Sequence, residues 1–190
     1  MNEDELIRGS KEGDLDSFNR LVESYQRMAY NLALRMLGHS HAAEDATQEA
    51  FFSAWRSIGS FRGGNFRAWL LRITANVCRD HLRKLKRHPL TSLDAMPLEP
   101  EGLSSSESPE DYVLRREIGE HIQRGLASLP LEQRLTVILS DIQGLSYEEI
   151  AQVMDCSLGT VRSRLSRGRA QLRDYLVERE LFPRKFRLNK

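Results

Sequence analysis

Between Thr91 and Asp111 the chain carries no Lys or Arg, while Asp94, Glu99, Glu101, Glu107, Glu110 and Asp111 are all acidic. Pro89, Pro97, Pro100 and Pro109 cluster in the same region, beside the run Ser104-Ser105-Ser106. Acid, Pro and Ser without aromatic residues cannot bury enough apolar surface to offset the ordering of the backbone, so this stretch reads as a flexible linker. It divides the chain of 190 residues into two segments, each long enough for one small domain. The expected organisation is a first domain over 1–90, a linker over 91–112, a second domain over 113–180 and a basic tail over 181–190.

Both domains read as helical. In the first, Phe18, Leu21, Val22, Tyr25, Ala29, Leu32, Ala33 and Met36 recur at steps of three and four, which is one apolar helix face. Asp14 or Asp16 can cap its start and Gly38 can end it. A second helix begins near Ser40, carries Ala43, Ala46, Ala50, Ala54 and Ile58 on one side, and stops at Gly59. A third runs from about Phe66 to Arg87 with Phe66, Trp69, Leu70, Ile73 and Val77 inward. After the linker, Leu114, Ile118, Ile122 and Leu126 form a further stripe. Pro130 opens a short helix with Leu135, Ile138, Leu139 and Ile142, which Gly144 ends. No strand-like alternation and no internal repeat appears, so the fold class is all-α.

Charge is informative only through its placement, because the formal net charge is +1. Near the end of the second domain, Ser146-Tyr147-Glu148-Glu149 is a capping box that starts a helix, with Ile150, Ala151 and Val153 on its apolar face. The turn Met154-Asp155-Cys156-Ser157 follows, and Ser157 can cap a second helix rich in Arg. Two helices joined by a tight turn, the second basic, describe a DNA-binding helix-turn-helix. Val161, Leu165 and Leu172 face the core, which leaves Arg162, Ser163, Ser166, Arg167 and Arg169 on outward faces. Arg can fork onto the acceptor edge of guanine, and Ser is short enough to admit the helix to the groove. Thr160 and Arg164 are better placed for phosphate, and the helix N-terminus adds its own positive end.

Two stripes mark the first domain. Arg72, Asn76, Arg79, Arg83 and Lys86 lie on one polar, mostly cationic side of the third helix, beside Phe61, Arg62, Phe66 and Trp69. Cations with aromatic rings suit single-stranded or distorted DNA. The alternative is an ordinary solvated face, with Phe66 and Trp69 serving the core; for Phe61 both readings stay open. In the second helix Asp45, Gln48, Glu49 and Phe52 form an acidic-amide stripe that ends in an aromatic, which suits a partner helix bearing Arg.

Other classes find less support. Cys78 and Cys156 are far apart without a CxxC or Cys/His run, so no metal or cofactor site is expected and both thiols are expected to be free. No catalytic constellation is evident, and His39 and His41 are expected at the surface, so the chain is not read as an enzyme. No apolar run approaches the roughly 20 residues of a membrane span, and the acidic start carries no signal region, which points to a cytoplasmic protein. An ordinary helix-turn-helix regulator of duplex DNA is the main alternative, but it predicts a ligand pocket or phosphoacceptor in the first domain.

The motifs together resemble one family. Asp45-Ala46-Thr47-Gln48-Glu49-Ala50-Phe51, then Phe61-Arg62-Gly63 and Trp69-Leu70-Leu71-Arg72-Ile73-Thr74-Ala75-Asn76, resemble region 2 of extracytoplasmic-function sigma factors of RNA polymerase. Leu145-Ser146-Tyr147-Glu148-Glu149-Ile150-Ala151, Gly159-Thr160-Val161-Arg162-Ser163-Arg164-Leu165 and Arg167-Gly168-Arg169 resemble their region 4. The resemblance implies that Asp45, Gln48 and Glu49, with Phe52, contact the core polymerase, at the clamp helices of the largest (β′) subunit, within a complex that includes the β subunit. It implies that Phe61, Arg62, Arg72, Asn76, Arg79 and Arg83 serve the opened −10 element of promoter DNA. It gives the −35 element to Tyr147, Thr160, Arg162, Ser163, Arg164, Ser166, Arg167 and Arg169. It also implies an anti-sigma factor as a partner, and a linker threaded near the RNA path. Two departures stand out: the loop Gly63-Gly64-Asn65 is short and lacks an acidic residue, and Gly168 replaces a common Ala, which should loosen the recognition helix by about 1 kcal/mol.

Overall fold

The computed structural model describes residues 2–87 and 109–179, with side chains described from residue 116 onward in the second segment. Every regular element among these residues is helical. Helix α1 (Glu3–Lys11) opens on a capping box in which Asn2 accepts from the Glu5 N–H and Glu5 accepts from the Asn2 N–H. No expectation covered it, although Asn2 and Glu5 stand at the capping-box spacing. Helix α2 (Leu15–Leu37) is capped by Asp14, which accepts from the Asp16 and Ser17 N–H groups. It ends on Gly38 at φ 83°, a left-handed cap that costs glycine nothing.

Helix α3 (Ser40–Ser57) lays Ala43, Ala46, Ala50 and Ala54 against the core, and these small residues let it pack closely on α2. A 3₁₀ turn (Ile58–Ser60) and the loop 61–65 lead into α4 (Phe66–Arg87). In the second segment, α5 (Pro109–Ser128) includes residues 109–112 of the expected linker, with Pro109 at the first helical position, where its missing N–H costs nothing. Helix α6 (Leu131–Val137) continues into a π-helical turn (Ile138–Ile142), closed by Gln143 N–H donating to Ile138 O. Helix α7 (Tyr147–Met154) and helix α8 (Leu158–Glu178) complete the order. The rest of the expected linker, 91–108, and the basic tail, 181–190, lie outside the described residues.

Two apolar clusters hold these helices. One is aromatic and belongs to the first domain: Phe18, Phe51, Phe61, Phe66 and Leu70, with Leu6 and Ile7 from α1. The other runs without a break from α2, α3 and α4 into α5 through α8, joining Leu32, Met36, Ala68, Leu71, Ala75 and Cys78 to Leu126, Ile138, Leu139, Ile150 and Leu165. The domains are therefore packed on each other. The carbonyls at the C-terminal end of α2 are satisfied from the second domain: Gln123 Nε2 donates to Arg35 O at 3.1 Å and Arg134 Nη1 to Met36 O at 2.9 Å. A cation there also complements the negative end of the helix.

Three expectations need correction. Ile118, placed on the α5 stripe, is 42% exposed, whereas Leu126 at the other end is buried. His39 is half-buried as the N-terminal flanking residue of α3, while His41 is exposed and faces Glu44. Gly168 does not merely loosen α8. It is buried where α8 crosses α6, and a Cβ built there would lie 2.8 Å from Val137 Cγ2 and 3.3 Å from the Gln133 carbonyl oxygen. Val137 is itself buried and β-branched, so it cannot swing away. Gly168→Ala should gain about 1 kcal/mol of helix propensity and lose about 1–3 kcal/mol to overpacking, for a net loss in urea unfolding. A more stable variant would show that α6 yields at this crossing.

Candidate nucleic-acid interface

The helix-turn-helix is built by local bonds. Ser146 Oγ accepts from Glu149 N–H while Glu149 accepts from Ser146 N–H at 2.8 Å, which closes the box that starts α7. Asp155 takes a left-handed conformation, φ 51°, to end α7 and turn the chain. Ser157 Oγ accepts from Thr160 N–H at 3.2 Å to start α8. Val161 and Leu165 are buried, so Arg162, Ser166 and Arg167 are turned to solvent.

The remaining residues of this set have internal partners. Ser163 Oγ donates to Thr160 O, and Thr160 Oγ1 pairs with Ser157 Oγ. Arg164 Nη1 lies 3.2 Å from Glu132 Oε2. Tyr147 is half-buried against the core. Arg169 forks onto Asp141, and that hydrogen bond is the main reason its pKa is raised, with Tyr147 adding to it. The outward face is thus narrower than the sequence pattern suggested.

In the first domain the stripe on α4 lies at the seam between the domains. Arg79 is forked onto Glu132 of α6, Nε to Oε1 and Nη2 to Oε2, both at 3.1 Å, and its Nη1 donates to Asn76 Oδ1. Arg72 Nη2 lies 3.3 Å from Asp155 Oδ2. Arg83 pairs within α4 to Asp80. Arg62 is exposed. Phe61 is 6% exposed, packed edge-on against Phe66 and tilted against Trp69, with the Lys11 ammonium 5.5 Å from its ring centre. Of the two readings open for Phe61, the core role is the one this packing serves. The Gly63-Gly64-Asn65 loop, with both glycines at φ 92°, rims a pocket of about 430 Å³ that also takes in Ser60, Arg72 and Gln152 of α7.

The acidic stripe of α3 is largely open. Asp45 and Gln48 are exposed and Phe52 is 65% exposed. Glu49 is turned toward α4, where His81 Nε2 lies 2.8 Å from its Oε2. Gln48 and Phe52 line an apolar groove of about 490 Å³ with Leu15, Phe18, Val22 and Phe51. Leu15, exposed at the start of α2, is a groove residue that the sequence reading missed, because its neighbours across the groove come from another helix. The cross-domain partners Asn65, Arg67, Gln123, Glu132, Arg134 and Gln143 were missed for the same reason: no periodicity links residues tens of positions apart.

Cys78 is fully buried, and burial pushes its thiol up to about 12, which keeps it unreactive. Among the described residues no helix is long and apolar enough to cross a membrane.

These features coincide with known proteins. The Sigma-70 region 2 family matches residues 21–88, and the Sigma-70, region 4 family matches residues 120–172. The chain is 39% identical to the ECF RNA polymerase sigma-E factor of Escherichia coli strain K12, covering 86% of this chain and 88% of that one. It is 39% identical to the RNA polymerase sigma-H factor of Pseudomonas aeruginosa over 87% of this chain and 89% of that one. It is 41% identical to the ECF RNA polymerase sigma factor SigE of Mycolicibacterium smegmatis over 86% of its own length, and spans 63% of that longer relative. Among solved structures it resembles CnrH in complex with the cytosolic domain of CnrY, with a TM-score of 0.67, 26% identity and coverage of 91% and 96% of the two chains. The sigma factor RpoE of Bartonella quintana, in complex with the anti-sigma factor NepR, gives 0.66, 25%, 85% and 98%. The chain belongs to the sigma factors of bacterial RNA polymerase, in their extracytoplasmic-function branch.

Glu149 gives a pH prediction. Its carboxyl is held below the usual carboxylate range, first by the Ser146 N–H and then by Asn65 and Ser146 side chains, against some desolvation. A depressed folded-state pKa contributes stability that is present above the ordinary value of 4.5 and is lost as pH falls through the folded value. Glu149→Gln can still accept from the Ser146 N–H but loses the charge and the second oxygen that accepts from Asn65, so it should show a deficit below about 1 kcal/mol at pH 7 that shrinks toward pH 3. Urea unfolding of both proteins at the two pH values measures it. An equal deficit at both would assign the loss to packing.

Proposed function

We infer that the chain performs the sigma-factor role of its family, binding core RNA polymerase and directing promoter recognition, strand opening and initiation, through separate surfaces. The observation that carries this reading is the α8 face. A capped helix-turn-helix buries Val161 and Leu165 and turns Arg162, Ser166 and Arg167 outward, on the same chain as an α4 stripe of cations beside an aromatic pocket. Arg162, Ser166 and Arg167 read the −35 element, with Thr160, Ser163, Arg164 and Arg169 supporting them or reaching phosphate. The pocket rimmed by Arg62, Gly63, Gly64 and Arg72, with Asn76, Arg79 and Arg83 along α4, takes the opened −10 strand. Phe61 acts there as a wall under the loop.

Asp45, Gln48 and Phe52, with the apolar groove beside them, meet a helix of the polymerase β′ clamp, and Glu49 assists once released from His81. The role is one of binding rather than covalent chemistry, and it places the protein in the cytoplasm with the polymerase. By likeness to CnrH and RpoE, each solved with a protein bound, an anti-sigma factor is a partner of this chain as well.

Run-off transcription with bacterial core polymerase on a promoter pool tests this. Initiation at defined start sites should require the added protein and should be lost on combined substitution of Asp45 and Gln48 by Ala. Arg167→Ala should cost roughly 1–3 kcal/mol at one −35 position and relax the preference there. No start site dependent on the wild-type protein would overturn the reading.

A further inference from the structure

Resting on the assignment of the loop 61–65 and α4 to the −10 strand, a further cation stands beside that site. It comes from α1, ahead of residue 21, where the region 2 match begins. The Lys11 ammonium lies 5.5 Å from the centre of the Phe61 ring, and Phe61 lines the pocket with Ser60, Arg62, Trp69 and Arg72. Lys11 is in the last turn of α1 and is exposed.

Helix α1 is fixed on the first domain at several points. Leu6 and Ile7 enter the aromatic cluster. The Tyr25 hydroxyl donates to Glu3, and the Tyr25 ring tilts against Phe66 with 5.4 Å between centres. A Cβ built on Gly9 would lie 2.6 Å from Ser17 Oγ, so α1 meets α2 at close range. The helix also packs on the 3₁₀ turn Ile58–Ser60, whose Ile58 carbonyl accepts from the Phe61 N–H at 3.1 Å. The turn that sets Phe61 therefore also sets Lys11.

The ring contact leaves the ammonium usable. A solvated cation gains little from a ring, and Lys keeps its donors for an anion. The rings of Phe61 and Trp69 are bordered by three exposed cations, Lys11, Arg62 and Arg72. A strand whose bases enter the pocket carries its phosphates along such a rim. The competing role for Lys11 is to cover Phe61 with its stem and to complement the negative end of α1. That role needs no DNA, so the two are separable by measurement.

We propose that Lys11 is a phosphate contact of the −10 strand, which makes α1 part of the surface that takes opened promoter DNA. It holds the strand backbone beside the bases in the pocket and reads no sequence.

The test uses the full chain assembled with core polymerase, as wild type, Lys11→Met, Lys11→Arg and Arg8→Met. Arg8 is also exposed and stands one helical turn earlier. The probe is a forked promoter from the run-off pool, duplex through the −35 element and single-stranded over the −10 element. Fluorescence anisotropy gives its affinity across a salt series. Met keeps an apolar stem against Phe61 and removes the charge. Lys11→Met should bind roughly three- to tenfold more weakly, by the same factor on forks of different −10 sequence, and the slope of log affinity against log salt should shrink by about 0.7. Lys11→Arg and Arg8→Met should both stay within about twofold of wild type. An unchanged salt slope in Lys11→Met overturns the proposal and leaves Lys11 a packing residue. An equal loss in Arg8→Met also overturns it, as an effect of net charge alone. Failure of the sigma-factor reading would appear separately, as absence of initiation by the wild-type protein with core polymerase. Failure of the Lys11 contact leaves that initiation intact.

Discussion

Helix α4 has two apolar sides, and the rest of the molecule is arranged around burying both. Phe66 and Leu70 enter the aromatic cluster with Phe18, Phe51 and Phe61, while Ala68, Leu71, Ala75 and Cys78 enter the cluster shared with the second domain. A helix with so wide an apolar surface cannot sit at the edge of a small bundle with one side in water. Covering the second side draws α7 onto α4, and the polar stripe between the two apolar sides is carried into the seam with it. The pairing of Arg72 and Arg79 with carboxylates of the second domain thus follows from where the apolar surface of α4 lies.

The same constraint bears differently on the two candidate nucleic-acid surfaces. On α8 the buried residues Val161 and Leu165 face α6 and α7 of their own domain, so the opposite face is free. On α4 the polar stripe borders the seam, so Arg79 is held by Glu132 and Arg72 by Asp155, while Asn76 and Arg83 stay exposed. Close approach reinforces this where side chains are absent: Gly168 lets α8 settle on Val137, and the alanines of α3 let it settle on α2. The last carbonyls of α2 are completed by Gln123 and Arg134, and Gln143 adds a bond to Met28 O within the helix, so separating the domains exposes carbonyl groups as well as apolar area.

Most of the helices were legible in the sequence because their start and stop signals are local. Asp14, Gly38, Ser146 and Ser157 act within three or four residues of the backbone they cap, and each does so in the structure. The apolar periodicity of α2 and α8 is likewise a property of one helix at a time. Helix α1 was overlooked although its capping box is equally local, because its apolar content, Leu6 and Ile7, is too short to register as a period. The candidate DNA residues of α8 were also readable, as those left over once the buried positions are assigned.

The sequence by itself determined the all-helical class, the ends of α2, α7 and α8, and the apolar faces of α2, α3 and α4, since these depend on neighbours up to about four residues away. Only the tertiary structure decided which polar faces stay open. Phe61 is buried by rings from α4, Arg79 is held by a carboxylate 53 residues distant, and Gly168 is needed for a crossing rather than tolerated in a helix. Ion pairs and close approaches between elements leave no periodic trace in a single chain, because the partner's position depends on how the apolar sides of several helices are buried together.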